Sequence, residues 1–311
     1  MIFTLPHELN GLARNNKGLI YSLIMKSSWG AIKELSNKLE NIGGLPGAII
    51  VLHTFGSDMK YHIHTHCLVT FGALDIENKW RYPQRKDKIA RYGEIKKAYK
   101  TIFLKGLKKM YQSENIKYHQ SYEEVLDMLG TKSWVVHNTK PTMDTKTMEN
   151  YLARYINRVA ISNNRVEYIK SQEKVKIIYN DYAKQESGKP APKAYKMINP
   201  LVFIDQFIQH VLPPYFQKSR RYGLHANATK KGLEDKLPES IKRNGQIIRT
   251  IFEIITQLIK EEPYKCEQCD SDEYDIIPIA ANKEWIKKYM GHPKCRSPDH
   301  KIKHKNEYQK G

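Results

Sequence analysis

Three histidines, His62, His64 and His66, occupy every second position of the run YHIHTHCLV at residues 61–69. Alternate side chains of a β-strand share one face, so this spacing sets three imidazoles side by side. Neutral imidazole is the commonest metal ligand, and a strand holds its ligands more rigidly than a loop. With 12 His in 311 residues, chance supplies about 0.5 His-x-His pairs but only about 0.02 triplets in register. A metal site and a solvated histidine face are the two readings that spacing allows. Tyr151 and Tyr155 form a second group, four residues apart in the run DTKTMENYLARYINRVA at 144–160. Helical spacing puts both phenols on one face, about 6 Å apart along the axis. Tyr118 and Tyr122 share that spacing, so by itself it describes packing as readily as catalysis.

The elements that would position these groups can be read on either side of them. Residues 15–39 carry apolar residues at helical spacing, closed by Gly43 and Gly44. Pro46 and Gly47 then open the β-branched run AIIVLHTF, followed by FGSDMK and the histidine run, which together predict a β-hairpin. His53 on the first strand then lies across from the histidines. It is either a third metal ligand or a half-buried strand histidine bonded to a backbone carbonyl. Cys67 points to the opposite, apolar face and reads as core. Residues 81–117 predict one or two amphipathic helices with a lysine-rich outer face, and Trp134 to Val136 a short strand. Residues 144–160 predict a helix capped by Asp144 or Thr145, with Arg154 and Arg158 on the stripe beside the tyrosines. A further hairpin is expected at 166–179, a helix at 200–212 ending at Pro213-Pro214, and another helix at 245–262. The basic stretch FQKSRRYGLHANATKK, which holds Arg220 and Arg221, reads as a DNA-facing loop or the start of a second region.

Charge narrows the function. Lys and Arg number 52 against 33 Asp and Glu, a formal charge of +19, with 20 tyrosines interleaved. Codon bias can inflate Lys and Tyr, but it does not explain the shortage of acids. The balance points to a phosphate backbone as partner. No apolar run approaches the roughly 20 residues that span a bilayer, and the opening MIFTLPHELN does not read as a signal peptide. Four cysteines, three of them clustered late, argue against a disulfide framework and fit a reducing compartment. That cluster has its own reading. Cys266-x2-Cys269 and His292-x2-Cys295 are two half-knuckles that can close a tetrahedral structural Zn²⁺ site, with His300 or His304 able to replace His292. Reduced surface thiols are the alternative.

Taken together, the blocks FTLPHELN, VLHTFGSDMKYHIHTHCLV, YLARYINRVAIS, FIDQFIQHVLP and SRRYGL resemble the rolling-circle transposases of the insertion sequence 91 family, two-tyrosine members of the HUH endonucleases. They occur in that family's order across roughly residues 2 to 225. The resemblance implies that His64 and His66 are the HUH pair, with Thr65 where the family usually has a bulky apolar residue. It makes Tyr151 and Tyr155 the two nucleophiles and leaves His62 in a supporting position outside the ligand set. Arg154 falls where related initiators often carry a lysine. The family normally carries a cysteine-rich segment ahead of the FTLPHELN block; this chain starts at that block, which suggests a truncated or compact member.

The expected fold is α+β: an HUH-like central antiparallel sheet with packed helices in a nuclease domain at 1–215, and a smaller basic helical region at 216–311. The expected activity is cytoplasmic, bacterial and metal-dependent. A Mg²⁺ or Mn²⁺ ion held by His64, His66 and His53 would polarise a phosphate. A tyrosine would then attack single-stranded DNA at an element end, a hairpin included, to give a 5′-phosphotyrosine. Arg154, Arg158, Arg220 and Arg221 would hold the DNA. Two other roles fit the same motifs: a rolling-circle replication initiator, and an inactive DNA-binding remnant.

Overall fold

The run at Lys17–Asn37 buries Ile20, Ile24, Ser28, Ala31 and Leu35, a stripe at helical spacing that faces a sheet. In this computed structural model the described residues are 1–113, 116–130, 132–142, 155–156 and 159–230, together with 274–275 and 294–295. Two compact units are present, Met1–Ile241 and Lys242–Gly311.

The first unit opens with strand β1 (Ile2–Thr4), short helix α1 (Asn10–Asn15) and α2 (Lys17–Asn37). The expected hairpin follows as β2 (Gly47–Phe55) and β3 (Tyr61–Val69). A small hairpin, β4 (Ala73–Leu74) and β5 (Trp80–Arg81), precedes helices α3 (Tyr92–Gln112) and α4 (Tyr122–Gly130) and strand β6 (Val135–His137). The basic region at 81–117 thus supplies one helix. It begins where the Arg91 N–H donates to the Glu94 carboxylate at 3.1 Å. It turns Ile95, Tyr99, Phe103 and Leu107 inward. Strands β7 (Val166–Ile169), β8 (Lys174–Asn180) and β9 (Lys193–Ile198) form a separate three-stranded antiparallel sheet. Helix α5 (Pro200–Gln209) starts at Asn199, whose side chain accepts the Leu201 N–H at 2.9 Å, with Pro200 in the first turn. Strand β10 (Ser219–Gly223) completes the main sheet.

That sheet has the order β10-β2-β3-β1-β6, every pair antiparallel. An antiparallel sheet with helices on one face is what the α+β expectation required. Phe3, Ile50, Leu52, Ile63 and Cys67 lie in one apolar core with α2 and α3, including Phe103 and Trp134. Cys67 is therefore a core residue, and burial pushes its thiol up to about 11. The opposite face carries the histidines.

Two strands of the main sheet depart from the sequence reading. Ile2–Thr4 pairs with both β3 and β6, although FTLP is too short to show a period. Ser219–Gly223, read from the sequence as part of a loop or the start of a second region, is an edge strand paired with β2. Its alternation explains this: Tyr222 stacks on Trp29 of α2 at 5.4 Å, while Ser219 and Arg221 face away. Gly223 ends the strand at φ +57, where a Cβ would overlap the Pro46 carbonyl oxygen.

In the second unit a two-stranded pair joins β11 (Tyr274–Asp275) to β12 (Lys294–Cys295). The expected helix at 245–262 and the residues Cys266, Cys269 and His292 lie outside the described residues. No helix among the described residues is long and apolar enough to cross a membrane.

Candidate metal and tyrosine site

The register of the β2–β3 hairpin builds the site. His53 pairs with His64, and Val51 with His66, so His53, His64 and His66 project from one face of two adjacent strands. Their candidate ligand atoms all lie within 4.8 Å of one another, and among the described residues they are the group able to hold a metal ion. His53 and His66 are buried and His64 is half-buried. Metal binding by histidine therefore has geometry behind it.

Hydrogen bonds fix how the rings present themselves. His64 Nδ1 lies 2.9 Å from the His62 carbonyl oxygen. A carbonyl only accepts, so the proton sits on Nδ1 and the lone pair on Nε2. That Nε2 is 3.1 Å from His66 Nε2. Two imidazole nitrogens this close share either a proton or a cation. The same 3.1 Å suits two nitrogens each about 2.1 Å from one ion. The donor set, three nitrogens converging at a partly buried point, fits a divalent ion. His62 itself lies outside the group, its ring 5.0 Å from that of His64 and exposed. It contributes its carbonyl rather than its imidazole.

Tyr155 lies over this cluster. Its ring stacks on His66 with centroids 3.9 Å apart and planes 29° from parallel. It also lies 5.7 Å from the His53 ring. His53 Nε2 donates to the Tyr155 carbonyl oxygen at 2.8 Å, so the candidate ligand and the carbonyl-bonded strand histidine are one residue. The second expected nucleophile, Tyr151, and the arginines Arg154 and Arg158 lie outside the described residues.

The other face of β3 locks the histidines in register. Thr65 is fully buried, and its hydroxyl pairs with Ser28 of α2 at 2.9 Å. This gives a polar reason for a threonine between the two histidines. Tyr61 shares a 2.6 Å hydroxyl–hydroxyl bond with Tyr21, and the Arg14 guanidinium lies 5.1 Å above the Tyr61 ring. Burial raises the pKa of both phenols above its ordinary value.

His210, just beyond α5, is a contributor that motif reading did not single out. Its Nε2–H donates to the Met59 carbonyl at 3.0 Å, and its Nδ1 accepts from the Thr54 hydroxyl at 3.2 Å. It stacks on Tyr61 at 6.0 Å. Burial lowers its pKa, which keeps it neutral. It ties α5 to both strands of the hairpin one residue away from His53. The sequence signal was the isolated His in FIQHVLP, read only as part of a helix.

The two β10 arginines part company. Arg220 pairs with Ile50 on the core-facing side, donates to Ser22 Oγ at 3.0 Å and lies 5.1 Å over the Phe216 ring. Arg221 pairs with Ile49, which shares the face of Val51 and His66, and its side chain is exposed.

Residues 47–232, which include the hairpin, both tyrosines and β10, match a family model described as "Putative transposase". The chain is 26% identical over 236 residues to "Putative transposase y4qJ" of Sinorhizobium fredii, covering 73% of this chain and 58% of that protein. It is 22% identical over 277 residues to "Transposase for insertion sequence element IS801" of Pseudomonas savastanoi pv. phaseolicola, covering 86% of this chain and 65% of that one. The chain thus spans about three fifths of the length of these curated relatives. The matched family and the site-bearing segment coincide, and the chain belongs to the transposases of the insertion sequence 91 family.

Proposed function

We propose that this chain nicks and rejoins single-stranded DNA during rolling-circle transposition, in the HUH manner, through a 5′-phosphotyrosine. The carrying observation is the stacking of Tyr155 on His66 within a cluster of three histidines. His53, His64 and His66 would hold a Mg²⁺ or Mn²⁺ ion. Such an ion supplies positive charge at the scissile phosphate and at the departing oxygen.

The chain's own residues do the rest. A free phenol with pKa ~10 is only about 0.1% ionised at neutral pH, so attack requires that its proton be removed as the bond forms. The tyrosine oxygen attacks phosphorus, the bond to the 3′ oxygen breaks, and that oxygen leaves as a 3′-hydroxyl after taking a proton. The phosphodiester energy is retained in the phosphotyrosine, so a 3′-hydroxyl can reverse the step. Tyr151 as a second nucleophile would let two strands be held at once, as strand transfer requires. Arg154, Arg158 and Arg221 would neutralise the flanking phosphates, and a strongly basic chain suits a cytoplasmic DNA substrate.

The decisive experiment incubates the chain with labelled single-stranded oligonucleotides of the element ends and Mn²⁺. A covalent protein–DNA band on a denaturing gel, lost in the Tyr151→Phe/Tyr155→Phe double variant, supports the reading. A band that persists in the double variant would sink it.

A further inference from the structure

The three-stranded sheet β7-β8-β9 has one face without a packing partner among the described residues. Its inner face carries Val175 and Ile177, buried with Met59 of the hairpin turn and Ile161. On the outer face the register places Lys176 beside Met197, Ile178 beside Tyr195 and Asn180 beside Lys193, with Lys174 next along β8. Tyr195 is 66% exposed, although a strand tyrosine with a packing partner would be covered. The Lys176 ammonium lies 5.6 Å from the centroid of its ring, which orients that ring. Charge on this face is lopsided. Lys176 has a 3.4 Å contact with Glu167, while Lys174 and Lys193 make no ion pair among the described residues.

We propose that this outer face is a binding platform for single-stranded DNA, in which a base stacks on Tyr195 and phosphates lie against Lys174, Lys176 and Lys193. A flat, half-apolar sheet surface with an exposed aromatic and flanking cations fits unpaired bases on a charged backbone. A duplex hides its base faces and offers only its phosphates. The platform is joined to the histidine hairpin. Ser57 Oγ donates to the Asn180 carbonyl at 2.7 Å, and Arg165 Nε donates to that of Ile178 at 2.8 Å. The Arg165 guanidinium also donates to the Ser57 carbonyl. A strand held there keeps a set distance from the histidine cluster, so the platform retains the DNA flanking the cleaved phosphate. This rests on the single-strand reading of the function above.

The test is fluorescence anisotropy of the full chain with a labelled mixed-sequence single strand and with its duplex, run beside the covalent-adduct assay. Tyr195→Ala is expected to weaken single-strand binding roughly fivefold or more, with Tyr195→Phe binding like the parent. Lys174→Ala/Lys193→Ala is expected to flatten the dependence of log K on log salt by about 1.4, for two phosphates released. Unchanged melting temperatures certify that the variants are folded. Photocrosslinking of 5-iododeoxyuridine to residue 195 is the direct readout. Parent-like binding by Tyr195→Ala, while the parent still forms the adduct, overturns the platform alone. Equal weakening on the duplex also overturns it. Absence of any single-strand binding by the parent overturns the underlying reading as well.

Discussion

Tyr155 is held to the histidine cluster at two points, its ring against His66 at 3.9 Å and its carbonyl on His53 at 2.8 Å. Both contacts use parts of the residue that phenylalanine retains. Tyr155→Phe should therefore keep the stack, the fold and the affinity for Mn²⁺ while removing the oxygen proposed to attack DNA. The expected result is a melting temperature and Mn²⁺ response within error of the parent, with adduct reduced to whatever Tyr151 alone supports. Loss of Mn²⁺ response in Tyr155→Phe would show that the metal site needs the hydroxyl, not only the stacked ring and the carbonyl.

Removing a ligand should have the opposite signature. A metal that binds only the folded chain stabilises it by about 2.7 kcal/mol when present at 100 times its dissociation constant. For a chain above 200 residues that is roughly 5–10 °C in melting temperature. Mn²⁺ should produce such a shift in the parent, and a chelator should reverse it. His64→Ala should abolish the shift, because it removes the Nε2 that lies 3.1 Å from His66. A full Mn²⁺ shift in His64→Ala would remove the histidine cluster as the binding site.

His62 separates the histidine pattern from the histidine site. Its imidazole is exposed and outside the cluster, and it acts through its backbone carbonyl. His62→Ala keeps that carbonyl. Isothermal titration with Mn²⁺ should give an affinity within about threefold of the parent, against a loss of 10-fold or more for a ligand substitution. A loss in His62→Ala as large as that in His64→Ala would mean the ring enters the ligand set.

Much of this site was legible because period 2 is unambiguous over nine residues. The run AIIVLHTF, the turn and YHIHTHCLV gave the hairpin and the crossing of His53 and His64. What stayed hidden depends on distant partners. Thr65 is explained only by Ser28, 37 residues earlier, and His210 only by Thr54 and Met59. Nothing in a local pattern encodes such pairings. Ser219–Gly223 was hidden for a related reason: two adjacent arginines look solvent-facing until a strand sends one to each side. FTLP at the start is a strand only because β3 and β6 flank it.

That division of the arginines makes opposite forecasts for neighbouring residues. Arg220 is half-buried against Phe216 and bonded to Ser22, so Arg220→Ala should lower stability by about 1–2 kcal/mol. Arg221 is exposed on the histidine face. Arg221→Ala should leave denaturant unfolding unchanged within about 0.5 kcal/mol and flatten the salt dependence of single-strand binding by about 0.7. Urea melts and anisotropy titrations on both variants decide the matter. The exchange of the two phenotypes would contradict the register of β10.

His210 gives the fold a pH dependence whose sign follows from its bonds. Burial is the main cause that lowers its pKa from 6.5, aided by the nearby Lys17 and Arg14 charges, while its bonds to Met59 and Thr54 act the other way. In the unfolded chain it takes up a proton near 6.5; in the folded chain it resists until lower pH. Its contribution is therefore fully present above 6.5 and is lost as pH falls through the lowered folded value. Protonation would set a second N–H against the Thr54 hydroxyl, which can turn to accept it, but would leave a charge packed between Tyr61 and Phe55. Melting temperatures measured from pH 7.5 to pH 5 should fall for the parent and fall less steeply for His210→Asn. The difference between the two curves isolates His210 from the chain's other histidines. Parallel curves would mean that His210 is protonated as readily in the folded chain as in the unfolded one.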